Sequence, residues 1–276
     1  MPHDIPSPDR HPYRVKPGST VDLDKIDAED DSLYPVGKGD GKDLLKELTT
    51  EIDALQEQLY AEGKHKLLVV FQAMDTGGKD GTIRKVFAPM DPQGLRVASF
   101  KRPSENELAH DYLWRVHAQV PGKGECVIFN RSHYEDIVAV RVREIFPETV
   151  WSRRYEHIVN FEKMLADEGT TILKFFLHIS KDEQKARLQA RLDDSEKLWK
   201  FNPGDLDDRA LWSKFMRAYE DVLARTSTDH APWHIIPANK KWHRDLAVAQ
   251  ILIGTLRGLK MEYPEADFDP ASIRID

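Results

Sequence analysis

One stretch constrains this chain more than any other: Leu67-Leu68-Val69-Val70-Phe71, followed by Met74-Asp75-Thr76-Gly77-Gly78-Lys79-Asp80-Gly81-Thr82. A short continuous apolar run that ends in glycines reads as a strand buried on both faces. Ile83-Arg84-Lys85-Val86-Phe87 then reads as helix. A buried strand, a glycine turn and a helix N-terminus aim backbone N–H groups and the positive helix end at one point, which builds an anion cradle. Lys79 stands where its ammonium can reach an anion held there. Asp75 stands at the strand's carboxyl end, where open parallel α/β sheets bind ligands. The competing reading, a turn whose glycines serve only close packing, leaves both residues unexplained.

The spacing departs from the general pattern G-x-x-x-x-G-K-[ST]. Ala73 takes the place of the first glycine, Asp80 follows the lysine, and Thr82 is the nearest hydroxyl. Around this loop the chain alternates. Strands are expected at 66–72, 95–100, 126–129, 170–179 and 233–237. Helices are expected at 42–62, from the loop to about Met90, and at 104–120, 149–167, 181–192, 207–225 and 244–259. Leu44, Leu45, Leu48, Ile52, Leu55 and Leu59 recur at helical steps before Gly63. Ser104 and Glu107 have capping-box spacing. Strands alternating with helices predict an α/β fold, a parallel sheet covered on both faces. Residues 1–40 are rich in Pro, Asp and Gly. They form an extended arm that either lies along the main domain through Tyr13, Val15, Leu23, Ile26 and Tyr34 or is disordered. Residues 41–276 form one domain.

The formal net charge of −7 argues against a general nucleic-acid binder. Cys126 is the single cysteine, so neither an internal disulfide nor a cysteine-built zinc site is available. Its apolar neighbours Val127-Ile128-Phe129 mark it as a core residue. No apolar run reaches membrane length, and Met1 to Pro6 lack a basic-then-apolar leader pattern, so the cytoplasm is expected.

Three expected strand ends carry polar clusters: Asp75 to Thr82, Lys101-Arg102, and Asn130 to Asp136. Parallel strands place their carboxyl ends on one edge, so the clusters should converge. Lys79, Lys101, Arg102 and Arg131 then meet Asp75 and Glu135. Phosphoryl transfer needs cationic groups around the moving phosphoryl and a carboxylate-held magnesium. Blander readings stand beside this one. Lys101 and Arg102 could be a solvated loop, Arg131 could pair with Glu135 or Asp136, and His133 and Tyr134 suit packing. Arg187 and Arg191 share a helix face just before a Trp-containing, turn-rich stretch. They read as surface charges or as a cationic lid, with Trp199 as lid or core anchor.

Together these segments resemble the polyphosphate kinase 2 family. Asp75-Thr76-Gly77-Gly78-Lys79-Asp80-Gly81-Thr82-Ile83 is similar to its Walker A form, and Phe129-Asn130-Arg131-Ser132-His133-Tyr134 to its Walker B segment. Arg187 through Asp205 resembles its lid, and Arg14-Val15-Lys16-Pro17-Gly18 its N-terminal arm. Asn130 and His133 depart from the Asp and Trp of many members. The Asn-Arg-Ser-His-Tyr-Glu-Asp form resembles the subgroup acting on nucleoside mono- and diphosphates.

The resemblance implies a P-loop kinase-like sheet sandwiched by helices, with a lid at about 182–208. It implies Mg-dependent, reversible transfer of the terminal phosphoryl group of inorganic polyphosphate to AMP or ADP, manganese being the alternative metal and guanine the alternative base. Asp75 would hold the metal, with Lys79 and Arg131 as catalytic cations. Gly77, Gly78, Asp80, Gly81 and Thr82 would cradle phosphate. Arg84, Lys101, Arg102, Arg187, Arg191 and Lys197 would meet the donor chain, and Asn130, Arg131 and Glu135 the nucleotide. A dimer or tetramer is implied. Two other readings compete: an ATP-dependent nucleoside monophosphate kinase of the thymidylate kinase type, and a non-catalytic polyanion-binding protein. The second of these extends to a nucleic-acid binder, whereas the polyphosphate-kinase reading expects no nucleic-acid and no membrane partner.

Overall fold

The computed structural model describes residues 8–35 and 37–275. The first seven residues of the expected arm, with the leader reading at Met1 to Pro6, lie outside them. In chain order the regular elements are α1 (Lys38–Glu62), β1 (Lys66–Gln72), α2 (Lys79–Val86), β2 (Leu95–Ser99), α3 (Glu105–Leu108) and α4 (Trp114–His117). There follow β3 (Cys126–Asn130), α5 (Glu135–Val142), α6 (Glu148–Trp151), α7 (Arg154–Asp167) and β4 (Thr170–His178). The chain continues with α8 (Lys181–Leu192), α9 (Gly204–Ala210), α10 (Trp212–Thr226), β5 (Trp233–Pro237) and α11 (Lys241–Gly258).

The five strands pair in parallel in the order β2-β3-β1-β4-β5. β1 is central; from it the chain goes to the edge strand β2, returns to β3 beside β1, and then crosses to β4 and β5 on the other side. The carboxyl end of β1 is therefore a topological switch point, where a crevice opens between diverging connections. Side chains alternate across the sheet. Leu68, Val70, Val127, Phe129, Ile172 and Phe176 pack with Ile137, Ile158 and Tyr219, on the face of α5, α7 and α10. Leu67, Val69, Phe71, Ile128, Phe175 and Leu177 pack with Ile52, Leu59, Leu246 and Ile253, on the face of α1 and α11. With apolar layers on both faces, every central strand reads as a continuous apolar run. Cys126 is fully buried and its thiol is pushed up to about 12 by that burial, consistent with a core residue.

The expected elements differ in five places, one being the helix expected over 207–225, which is broken at Leu211 into α9 and α10. The helix expected over 104–120 is two single turns. Ser104 caps α3 with the reciprocal Glu107 bonds of a capping box. Asp111 then accepts from the N–H groups of Leu113 and Trp114, at 2.9 and 3.1 Å, which restarts the chain. The expected 149–167 helix is broken between α6 and α7, and Arg154 at the break donates to the Asp136 carbonyl at 2.6 Å. α2 stops at Val86, since Pro89 disfavours helical geometry at Ala88. α5 was not expected: its Val138, Val140 and Val142 alternate like a strand, and four of its residues are buried. None of the described helices is long and apolar enough to cross a membrane.

The arm is seated against the edge strand β5. Val15 N–H donates to the Trp233 carbonyl at 2.8 Å and Ile235 N–H to the Tyr13 carbonyl at 2.9 Å. Val15, Leu23 and Tyr34 are buried, while Tyr13 and Ile26 pack at the margin of the core. Beneath the arm, the rings of His11 and His234 lie 6.1 Å apart. Burial, then the charge of His243, lowers His11 to about 4, and burial, then the charge of His11, lowers His234 to about 3. Both are neutral in the fold and regain ordinary histidine basicity when the arm lifts. The open state therefore binds more protons as pH falls below ordinary histidine values, and the arm's hold weakens from about pH 6.5 down to about pH 4. The melting temperature should fall over that window, and less steeply in His11→Gln. Parallel profiles for the two proteins would remove this role for His11.

Candidate active site

Beyond Gln72 the chain turns sharply. A side chain at Gly77 would stand 2.5 Å from the Ala73 Cβ and 2.8 Å from the Met74 carbonyl. Gly78 has φ +104°, and a Cβ there would meet the Arg244 guanidinium at 1.9 Å. Only glycine allows this path. The loop delivers Lys79 as the first residue of α2, with its N–H groups at the head of the helix. Of the four non-glycine residues with left-handed backbone among the described residues, two stand here, Thr76 in this loop (φ 63°) and Arg131 just beyond β3 (φ 62°). Strained residues cluster where a site must hold side chains in set positions.

β1 and β3 are neighbours, so their ends meet. Arg131 Nη2 donates to Asp75 Oδ1 at 2.7 Å. Lys79 Nζ donates to the Ala73 carbonyl at 3.0 Å. Burial, then the nearby Arg131 guanidinium, lowers the Lys79 ammonium below its ordinary value, opposed by Asp75, Glu135 and Asp80. Glu135 begins α5, and burial raises its carboxyl, opposed by Arg131 and Lys79. With its amide oriented to satisfy both ends, Gln72 donates to Glu135 at 3.0 Å and accepts from Ser132 at 3.1 Å. Asn130 donates to Asp80 at 2.6 Å, so the residue after the lysine ties the two loops together. Arg131 thus pairs with Asp75 rather than with Glu135 or Asp136.

The other sequence-predicted residues divide. Gly81 follows in the first turn of α2, 3.4 Å from Arg244 by its would-be Cβ. The Thr82 hydroxyl is not in the cradle: it is fully buried and donates to Asp245 at 3.1 Å. Arg84, Lys101 and Arg102 are exposed. Arg187 donates to the carbonyls of Thr76, Ala238 and Asn239, pinning α8 to the phosphate loop and to the end of β5. Arg191 reaches the Lys200 carbonyl at 2.9 Å and Asp205 at 3.4 Å. Lys197 pairs with Asp194 on the exposed turn. Trp199 is 79% exposed, which excludes the core-anchor reading.

Four residues were missed. Asp205 and Asp208 stand on one face of α9, and Asp208 is paired with Arg143 at 2.6 Å. Burial, then the Asp75 charge, raises Asp205. Burial and Asp75 also raise Asp208, against the pull of Arg143. Their signal was the acidic i, i+3 spacing after the lid arginines. Arg244, 2% exposed, donates through Nε and Nη2 to Asp245, and its Nη1 lies over Gly78. Its signal was an Arg-Asp pair heading an otherwise apolar helix. Tyr219 donates to the Ala73 carbonyl at 3.3 Å, and nothing in its local sequence marked it.

A buried network backs the β3 loop. Lys174, on β4, pairs with Glu162 of α7 at 2.6 Å, both fully buried. Tyr134 donates to Glu162 at 2.7 Å, His133 lies 3.3 Å from it, and Lys174 also reaches the Thr226 carbonyl at 2.8 Å. Although burial works to raise it, Lys174 and His133 hold the Glu162 carboxyl below the usual range. His133 and Tyr134 are thus packing residues, as expected, and they fix the loop that carries Arg131.

Comparison with known proteins agrees with this geometry. The family model described as Polyphosphate kinase 2 (PPK2) matches residues 36–264. The AMP/ADP-polyphosphate phosphotransferase of Meiothermus ruber is 58% identical over 264 residues, covering 96% of this chain and 99% of that protein. The ADP-polyphosphate phosphotransferase of Rhodopseudomonas palustris is 43% identical over 265 residues, 92% of this chain and 91% of its own. The crystal structure of Polyphosphate Kinase 2 from Arthrobacter aurescens TC1 superposes with a TM-score of 0.93 at 46% identity, covering 97% of this chain and 95% of that one. With its parallel sheet, its glycine loop and its paired strand ends, the chain belongs to the polyphosphate kinase 2 family.

Proposed function

We propose that the protein transfers the terminal phosphoryl group of inorganic polyphosphate to AMP and ADP, reversibly and with magnesium. One observation carries this reading. Asp75, Arg131 and Lys79 meet at the switch-point edge of a chain similar along its length to a phosphotransferase named for AMP, ADP and polyphosphate. The acceptor is a phosphate oxygen that is largely ionised at neutral pH, so no strong general base is required. Catalysis is then positioning and charge. Lys79 and Arg131 leave their resting partners for the phosphoryl oxygens, and the N–H groups from Gly77 to Gly81 cradle them. Glu135 sits where the acceptor nucleotide enters, and α8 to α9 form the lid, with Arg191 and Lys197 facing the donor chain.

Magnesium fits the donor set. Asp75 stands close to Asp208 and its charge helps raise the Asp208 carboxyl, a local excess that a divalent cation relieves. Magnesium uses one or two carboxylates with substrate phosphates rather than a cage of protein ligands. Asp75 would hold it, and the bound ion supplies charge neutralisation across neighbouring phosphates. Asn130 is committed to Asp80 and is not a metal ligand in this reading. Action in the cytoplasm, as a dimer or tetramer, with guanine nucleotides as further acceptors, completes the proposal.

A donor swap tests it. Purified protein with magnesium receives AMP or ADP and either long-chain polyphosphate or GTP, and products are separated by chromatography. ADP and ATP should form only with polyphosphate. Turnover only with GTP would move the chain to the ordinary nucleotide kinases. No turnover with either donor would leave a binding protein.

A further inference from the structure

We propose that Tyr219 is a positioning residue, holding the phosphate loop closed while Lys79 is away on phosphate. The proposal rests on the phosphate-binding role given to Lys79 above. Two side chains donate to one backbone oxygen: Lys79 Nζ to the Ala73 carbonyl at 3.0 Å, and Tyr219 Oη to the same carbonyl at 3.3 Å. The donors come from opposite faces of the sheet, Lys79 from α2 and Tyr219 from α10. A carbonyl oxygen has two lone pairs, so both bonds coexist. No backbone N–H among the described residues donates to this oxygen. Ala73 is 4% exposed, which leaves water little access.

The lysine cannot serve the carbonyl and a phosphate equally well. When its ammonium swings to the ligand, a buried carbonyl at the root of the loop loses a charged donor. Left without any donor it would weaken ligand binding by about tenfold or more. Tyr219 prevents that loss. Its ring is clamped by Phe176, at 4.7 Å between centroids, with Phe215 beyond, so the hydroxyl stays where it is. Burial and the carboxylates of Glu135, Asp75 and Asp208 hold the phenol well above its ordinary value, so it remains a donor throughout the working range. Lys79 is the donor that moves and Tyr219 the donor that remains.

The first test needs no substrate. In the ligand-free protein, Tyr219→Phe leaves the carbonyl with Lys79, and Lys79→Met leaves it with Tyr219. Only the double variant leaves it bare. Tyr219→Phe should shift the melting temperature by about 1 °C in the parent and by about 4 °C in the Lys79→Met background. Equal shifts in both backgrounds overturn the shared-acceptor role. The second test is kinetic, with long-chain polyphosphate and ADP. Tyr219→Phe should raise KM for polyphosphate about tenfold with kcat within about twofold, the signature of lost uniform binding. A fall in kcat with KM unchanged would assign Tyr219 a different role and overturn the proposal. If the parent shows no turnover with polyphosphate, the functional reading fails, while the melting cycle still decides the case of Tyr219.

Discussion

Asp75→Asn lowers kcat on the order of 1,000-fold while leaving the melting temperature at or slightly above that of the parent. Asparagine keeps the shape of the side chain and an oxygen for Arg131, which now donates to Asp75 Oδ1 at 2.7 Å. The negative charge is lost. Without it the proposed divalent cation loses its carboxylate, and Arg131 keeps only a neutral acceptor near the point where phosphate would arrive. Stability behaves differently because Asp75 is itself one of the charges that raise Asp208 and Asp205. Removing it relieves that repulsion, so the fold has no reason to weaken. Initial rates of ATP formation from polyphosphate and ADP, with a thermal melt of the same sample, check both halves. A variant within tenfold of the parent rate would deny Asp75 its role, and a large drop in melting temperature would make any rate loss uninterpretable.

Lys174→Met is expected to cost about 3–5 kcal/mol of stability, or about 6–20 °C in melting temperature. The pair it breaks is fully buried, and Glu162 would be left with only Tyr134 and His133 as side-chain partners. The penalty comes from the stranded carboxylate rather than from the worth of the pair. Replacing both partners, Lys174→Met with Glu162→Leu, should therefore recover most of the loss. Because the network fixes the loop that carries Arg131, the single variant should also turn over more slowly at temperatures where it is folded. A loss below about 1 kcal/mol, read from denaturant unfolding, would mean that Glu162 simply takes up a proton at little cost.

The sheet was legible because its strands are buried on both faces and therefore read as unbroken apolar runs; even the lysine at 174 did not hide β4. The phosphate loop was legible because adjacent glycines at 77 and 78, set between a buried strand and a lysine, suit a tight anion-binding turn and little else. What stayed hidden depended on contacts distant in sequence. Tyr219 and Ala73 are 146 positions apart, and no local pattern announces a hydroxyl aimed at a particular carbonyl. Arg244 belongs to a helix buried along most of its length, where a charged residue at the head reads as a solvated end. Thr82 looked like the hydroxyl of a phosphate loop because it is the nearest one, yet the turn of α2 points it at Asp245. Arg187 looked like a free cation and is committed to three carbonyls. The helix expected over 104–120 failed for a local reason, since Asp111 competes for the backbone N–H groups that the helix would have used.

The seating of the arm on β5 bears on solubility as well as on acid stability. β5 is an outermost strand with the sequence Trp-His-Ile-Ile-Pro, apolar and buried along its length. An outermost strand of that kind, left bare, is a template for pairing with another molecule. Tyr13 and Val15 occupy its free hydrogen-bonding groups, so the arm acts as an edge guard. Acid conditions that loosen the histidine contacts would then do more than lower a melting temperature: they would uncover a sticky rim and turn reversible unfolding into aggregation.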